Sequence, residues 1–399
     1  MKLYINKNES VASSAVILDD MMLTTELPTT AGSKMLDGYM SLFEAEAAKK
    51  LKAAGYSISG KANVGEFGID LLGETSYFGA ITDENGNLTL ASAELLKNGE
   101  ANAAVGLDVN GAPRRAAALG GLVYIKPTYG TVSRYGTIPA ACSGECVGVM
   151  ASTVSDCKQV LDAIVGHDDK DGTSLPEEKC ALVTNGAANL KRAAVIKTFT
   201  KDIDAATAEK IASAKASLEA NGVSVDEIDC DVLAFAKTAW GVLMCAELCN
   251  NVSRYDGVKY GHRSENYTTI GELYTNSRTE AFGELTKTAI LYGSETLSDD
   301  NYMPVYDKSM RVRRVIVEAL AKLFAEYDVL ILPACSKAAY TEVDTKANKY
   351  ISFDEALYTA PASISGIPAA IAGGVQLLGK AFSENTLFEV AKIITKEGK

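Results

Sequence analysis

An amphipathic helix pattern that leads directly into an apolar strand is the feature that most restricts the fold of this chain. Residues 309–326 place apolar side chains at i, i+3, i+4, i+7, i+8, i+11 and i+12 from Val312 onward. This spacing predicts a helix with one buried face. Residues 328–333 (DVLILP) follow at once and predict a buried strand. A second strand pattern at 193–197 and a helix pattern at 205–221 repeat the alternation, which predicts an α/β protein.

The start of the chain carries a similar pattern. Ser41 and Glu44 match a capping box, which predicts a helix that begins there and ends at Gly55. A short strand is expected at 56–59. We find no repeat, low-complexity tract or long Gly/Ser linker in the 399 residues. The sequence therefore predicts one continuous domain over residues 1–399.

The composition restricts the class of partner. Apolar residues make up 47% and charged residues 23% of the chain, which is typical of a globular protein. The net charge of −12 argues against direct binding of nucleic acid, which needs clustered Lys and Arg, but not against membership of an RNA-binding complex. No apolar run reaches the roughly 18 residues of a membrane span, and the first residues lack a signal peptide pattern. We expect a cytoplasmic protein with no membrane contact.

The eight cysteines form no metal-binding pattern. Two pairs have C-x-x-x-C spacing, but the two histidines lie far from them in sequence. Reduced thiols that act as small apolar groups are therefore expected, with no metal. No strand–GxGxxG–helix unit is present. We expect no cofactor.

A series of short motifs occurs in order along nearly the whole chain. They are GKAN at 60–63, EF at 66–67, KPTYG at 126–130, VSRYG at 132–136, AIVGHD at 163–168, SRYDG at 253–257 and KSMRVR at 308–313. These motifs resemble the A subunit of glutamyl-tRNA(Gln)/aspartyl-tRNA(Asn) amidotransferase, a branch of the amidase-signature family. The resemblance implies the amidase-signature fold, with a mixed central sheet and helices on both faces. It also implies that the helices that usually precede this domain are missing.

Enzymes of this family transfer acyl groups through a Ser–cis-Ser–Lys relay, with the signatures GSDTGGSIR, GGSSGGS and a KDN-like segment. A serine hydroxyl is a weak nucleophile and needs a base within hydrogen-bond reach. Aligned without gaps from the KPTYG motif, the nucleophile position falls on Ala112 and the cis-serine position on Leu88. Aligned from Ser33, the lysine position falls on Asp19. The resemblance thus implies that the relay is replaced at all three positions, which leaves no catalytic residue.

Two stretches of the sequence that lack particular residue types support this alignment. Residues 93–132 contain no serine or cysteine, and residues 8–33 contain no lysine. A shift of a few positions therefore cannot restore the nucleophile or the base. The resemblance implies an oxyanion-hole remnant in the backbone of Val109, Asn110 and Gly111, where one of two glycines is replaced. The other hydroxyls near the loops, on Ser76, Ser92, Ser133 and Ser143, are expected to have structural roles, as are Lys61 and Lys126.

A family fold without its relay implies a protein that has lost catalysis and acts as a non-catalytic binding or scaffold subunit. The expected partners are B- and C-subunit-like amidotransferase proteins or a catalytic A subunit. Three alternatives stay open. One is an active glutamine-dependent tRNA amidotransferase subunit or amidase that uses displaced residues. The others are a small-molecule sensor in a remodelled cavity and a decayed protein with no role.

Overall fold

The computed structural model describes residues 2–8 and 14–397. Its strands are β1 Tyr4–Lys7, β2 Ala15–Asp19, β3 Ser57–Ala62, β4 Ala103–Asp108, β5 Val123–Lys126, β6 Cys146–Ala151, β7 Arg192–Ile196, β8 Ser224–Ile228, β9 Val329–Leu332, β10 Ala369–Ala372 and β11 Val375–Gly379. Its helices are α1 Glu46–Ala53, α2 Ala91–Lys97, α3 Ala112–Gly120, α4 Val154–Ile164, α5 Glu177–Asn185, α6 Ala205–Ala220, α7 Ala236–Val252, α8 Ile270–Ala281, α9 Glu284–Thr296, α10 Asp299–Asn301, α11 Lys308–Leu323, α12 Glu342–Ala347, α13 Ile351–Ser365 and α14 Glu384–Thr395.

The described residues form one 11-stranded sheet in the order β1-β3-β2-β4-β6-β5-β10-β11-β9-β7-β8. Strands β3, β2 and β4 run parallel to one another, as do β9, β7 and β8. The remaining neighbours are antiparallel. The sheet is therefore mixed, which confirms the predicted α/β fold class.

The core lies on both faces of this sheet. Successive residues of a strand point to opposite faces, and here they enter different clusters. Val16 and Leu18 of β2 join the larger apolar cluster, whereas Ile17 between them joins the smaller one. Both faces are covered by helices, which explains why the central strands are continuous apolar runs rather than alternating ones.

Several predicted elements occur close to their expected positions. Helix α6 and strands β7 and β9 match the patterns at 205–221, 193–197 and 328–333. Helix α11 matches the pattern at 309–326, but only Ile316 and Leu320 of its apolar stripe are fully buried, and Val315 is exposed. The apolar pattern therefore predicted the helix correctly, but fewer of its apolar residues are buried than the pattern indicated.

The predicted capping box at Ser41 is wrong. Helix α1 begins at Glu46, and its N-cap residue, Ala45, makes no side-chain hydrogen bond. The Ser41 hydroxyl instead accepts from the N–H of Phe43 and donates to its carbonyl, which closes a local turn. Glu44 forms an ion pair with Lys52 at 2.5 Å. Serine side chains compete with helix formation through such local bonds.

One segment, Asp231–Val252, is long and apolar enough to cross a membrane by length and composition. It contains α7, and more than half of its most apolar window is buried inside the protein. Helix α7 packs against α9, α11 and α13. Its apolar character therefore has a structural explanation as a core helix.

Candidate functional site

The loop that carries the predicted nucleophile position connects a strand to a helix. Strand β4 ends at Asp108, residues 109–111 form the loop, and α3 begins at Ala112, which is buried. Gly111 has φ of 99°, in the left-handed region, and a Cβ there would overlap the side chain of Thr359. Glycine is thus required both by the backbone conformation and by the close approach. The loop turns tightly, but Ala112 presents only a methyl group.

Asn110 is held on three sides. Its Nδ2 donates to the carbonyl of Ile69 at 3.1 Å, and its Oδ1 accepts from the indole N–H of Trp240 at 3.2 Å. Its own carbonyl accepts from the hydroxyl of Thr359 at 2.7 Å. These bonds come from three separate parts of the chain. They fix the predicted oxyanion-hole remnant and occupy the Asn110 side chain.

A buried ion pair joins the two ends of this loop. Arg114 binds Asp108 through Nε at 2.8 Å and Nη2 at 3.0 Å, and both side chains are fully buried. Arg114 also donates to the Thr359 carbonyl, to Gln376 Oε1 and to Ser363 Oγ. All five of its N–H donors thus have an acceptor. This network lies directly behind the loop and keeps the strand-to-helix turn in place.

The predicted lysine position, Asp19, lies at the end of β2, beside the same strand. A Cβ at Gly106 of β4 would overlap the Asp19 carboxylate, so the two are in direct contact. Burial and the neighbouring charge of Asp20 raise the pKa of Asp19 to about 7. Burial raises the pKa of Asp20 to about 6, although Lys61 opposes the shift. The two acids therefore form a buried cluster with one lysine.

That lysine, Lys61, comes from β3 rather than from the KDN-like segment. Its ammonium donates to the carbonyl of Met22 and, at 2.8 Å, to the hydroxyl of Thr29. Burial lowers its pKa to about 8, while the two aspartates partly offset the shift. Thr29 and Lys61 thus form a hydroxyl–amine pair near Asp19. Neither side chain is exposed to solvent, and neither lines a cavity of the site.

The predicted cis-serine position is filled by apolar packing. Leu88 is fully buried and clusters with Leu72, Tyr340 and Ile351. Its N–H donates to the Tyr340 carbonyl at 2.7 Å, and its carbonyl accepts from Nη1 of Arg115 at 3.2 Å. Arg115 extends from the first turn of α3 and connects the Leu88 segment to the helix that begins at Ala112. Leucine and arginine side chains therefore pack at this position.

A cavity of about 330 Å³ opens in front of Asn110. Its walls come from α7, α9, the N-terminal part of α13 and Tyr350 just before it. Most of its lining is apolar or aromatic, and its one charged residue, Lys237, forms an ion pair with Asp354 at 2.7 Å. A second cavity of about 310 Å³ shares Thr288 and Tyr350 with it and has several charged residues. The first cavity is the one next to the loop at 109–111.

The Amidase family model matches residues 15–388, which is most of the chain and includes every element of this site. This chain belongs to the amidase family. Two of its relatives are A subunits of glutamyl-tRNA(Gln) amidotransferase: that of Latilactobacillus sakei is 33% identical over 96% of this chain and 82% of the relative, and that of Coxiella burnetii is 34% identical over 96% and 83%. The crystal structure of the corresponding A subunit from Thermotoga maritima superposes with a TM-score of 0.80 at 27% identity, covering 99% of this chain and 87% of that one.

Three of the four serines that the sequence placed near the loops of this amidase-family chain have acidic or amide partners. Ser76 donates to Asn63 Oδ1 and Ser133 to Asp168 Oδ2, each at 2.6 Å, and Ser143 donates to Glu247. The sequence assigned them structural roles, and these contacts agree with that interpretation. The hydroxyl–amine pair of Thr29 and Lys61 was not foreseen. The GKAN motif contains Lys61, but nothing local indicates that its amine reaches across to Thr29.

The Arg114–Asp108 network was also missed by sequence reasoning. Both residues match the Asp and the Arg of the family signature GSDTGGSIR, although four of the five residues between them differ and only Gly111 is retained. That pattern of retained and altered positions was the available signal. It separates the buried ion pair behind the loop from the positions that the sequence predicts to correspond to the relay.

Proposed function

We propose that this amidase-family chain has lost catalysis and acts as a non-catalytic binding or scaffold subunit, similar to the A subunit of glutamyl-tRNA amidotransferases. The observation that carries the proposal is Ala112. The methyl group stands at the nucleophile position of a loop whose supports, Gly111 and the Asp108–Arg114 pair, are intact. Loss of the nucleophile alone can reduce turnover by about 10⁶ in serine hydrolases.

The neighbouring positions support the same conclusion. Leu88 cannot carry a proton, and Asp19 has no nucleophile to activate. We take Val109, Asn110 and Gly111 as a remnant of the oxyanion hole, which alone would stabilise charge but could not start an acyl transfer. The proposal includes a cytoplasmic location, a single domain, and no bound cofactor or metal.

The proposed partners are B- and C-subunit-like amidotransferase proteins or a catalytic A subunit. Exposed apolar side chains favour a protein contact of this kind. Leu42 is 95% exposed, and Met40 and Phe43 in the same loop are nearly half exposed. Contiguous apolar residues on a surface are typical of interaction sites. The acidic chain, with its net charge of −12, fits a role that leaves RNA binding to another protein of the complex.

The second candidate function is an active amidase that uses displaced residues. Among the described residues, the Thr29–Lys61 pair favours it, because a lysine with a lowered pKa beside a hydroxyl resembles an activated nucleophile. Against it, the Thr29 hydroxyl points to the carbonyl of Met22 at 3.3 Å. Both side chains are fully buried and line no cavity of the site, so a substrate has no route to them.

Purified protein tests the proposal by measuring release of glutamate and ammonia from glutamine, alone and with cognate B and C subunits. We expect turnover at the level of a no-enzyme control. An Ala112→Ser variant should also show no turnover above background, because the serine would lack a base. A Thr29→Val variant should give the same turnover as the unmodified chain. Turnover that is well above background and lost in Thr29→Val would contradict the proposal and favour displaced residues. Co-purification with the B and C subunits, reduced by Leu42→Asp, tests the scaffold role.

A further inference from the structure

A glycine in the middle of helix α7 has no packing reason to be there. Glycine destabilises a helix interior relative to alanine, so such a residue usually marks a close approach. Gly293 of α9 is explained in this way, since a Cβ there would overlap the carbonyl of Cys245. At Gly241 of α7, a Cβ would meet no atom within 4 Å. The missing side chain of Gly241 instead leaves space in the 330 Å³ cavity in front of Asn110.

The other walls of this cavity determine what it can hold. Val242 and Met244 contribute apolar residues to the lining, and Tyr292, Tyr350 and Phe353 contribute aromatic ones. Flat aromatic surfaces pack well against another ring. The volume lies at the lower end of the range for small-molecule sites. A ligand of about one ring with a short substituent fits this space.

The charge distribution of the lining disfavours a zwitterionic ligand. The only charged lining residue, Lys237, already pairs with Asp354 at 2.7 Å. Asn110 has both polar atoms of its side chain in hydrogen bonds to the protein. A bound glutamine would place an ammonium and a carboxylate against a mostly apolar lining that offers neither of them a free charged partner, which is unfavourable. The neutral hydroxyl residues of the lining are Thr238, Thr288, Tyr292 and Tyr350.

We infer that this cavity is a binding site for a neutral, mostly apolar molecule of aromatic-ring size that carries a hydrogen-bonding group. The inference rests on the proposed function, because a working glutaminase would need to bind glutamine beside this loop. It assigns a class of ligand to a chain for which we propose no catalysis. The charged neighbouring cavity plays no part in the inference.

An isosteric series of probes tests the ligand class: benzyl alcohol is neutral, benzoate is anionic and benzylamine is cationic. Binding is followed by ligand-observed NMR, with the fluorescence of Trp240, the only tryptophan, as a second readout. Trp240 reports on the site because its indole is bonded to Asn110. We expect saturable binding of benzyl alcohol in the millimolar range and at least tenfold weaker binding of both charged probes. Equal binding of the three probes, or none of benzyl alcohol, overturns the inference.

Filling the cavity provides the matched variant. Gly241→Leu directs a side chain into the open space and improves helix propensity, so the variant should fold and lose benzyl alcohol binding at least tenfold. Gly271→Leu is the control, since Gly271 is an exposed helical glycine of α8, outside both cavities. It should bind as the unmodified chain does. Gly241→Ala, which adds a single carbon, should give an intermediate loss and serves if the leucine variant does not fold. Unchanged binding in these Gly241 variants overturns the inference.

Glutamine turnover is measured on the same preparations. Turnover refutes the proposed function whatever benzyl alcohol does. No turnover together with no benzyl alcohol binding refutes only the ligand inference.

Discussion

Replacing Arg114 with methionine should destabilise this protein far more than a typical substitution. The change removes five donors, which serve both oxygens of Asp108 and three other acceptors. Asp108 would stay fully buried with the Tyr124 hydroxyl at 3.2 Å as its remaining side-chain partner. Breaking a buried ion pair on one side costs about 3–5 kcal/mol. With an unfolding entropy of about 2.1 cal/mol/K per residue over 399 residues, the melting temperature should fall by about 5 °C.

Chemical denaturation monitored by Trp240 fluorescence measures the free energy of unfolding directly. The control is Arg314→Met, which removes an equivalent pair, Arg314 with Glu318, whose side chains are 83% and 58% exposed. That control should leave the free energy of unfolding close to that of the parent, because solvent screens an exposed pair. A double variant with Asp108→Leu and Arg114→Met should recover part of the loss, since no unpaired charge is then buried. An Arg114→Met protein within about 1 kcal/mol of the parent would refute the reasoning.

Two further predictions concern groups buried near this loop. Arg115→Met should lower the free energy of unfolding less than Arg114→Met does, because Nε and Nη2 of Arg115 have no hydrogen-bond partner in the described part of the chain and only the bond to the Leu88 carbonyl is lost; an equal or larger loss in urea titrations would contradict this. Asp19→Asn should flatten the pH dependence of stability. The folded pKa of about 7 lies above the ordinary 3.8, so the Asp19 contribution is full below pH about 4 and lost as pH rises to about 7. Identical slopes for both proteins would rule this out.

Local patterns in the chain were sufficient to identify elements and family. Helix α6 and strand β9 follow from hydrophobic periodicity, because a helix or strand must turn its apolar residues toward one core. The collinear motifs identified the family, and the absence of serine from residues 93–132 is visible in the sequence alone. The start of α1 was wrong because Ser41 satisfies its own turn instead of capping a helix. Such competition between local hydrogen bonds cannot be read from a spacing alone.

The sequence by itself determined the fold class, the family and the absence of serine from residues 93–132. Only the tertiary structure decided what surrounds that position. Arg114 reaches Gln376 across 262 residues, and Asn110 reaches Trp240 across 130. The Gly241 cavity exists because α7, α9 and α13 meet beside one loop. Hydrophobic periodicity indicates which side of a helix or strand is buried. Contacts between residues so distant in the chain depend on how all the elements pack together, which no local pattern specifies.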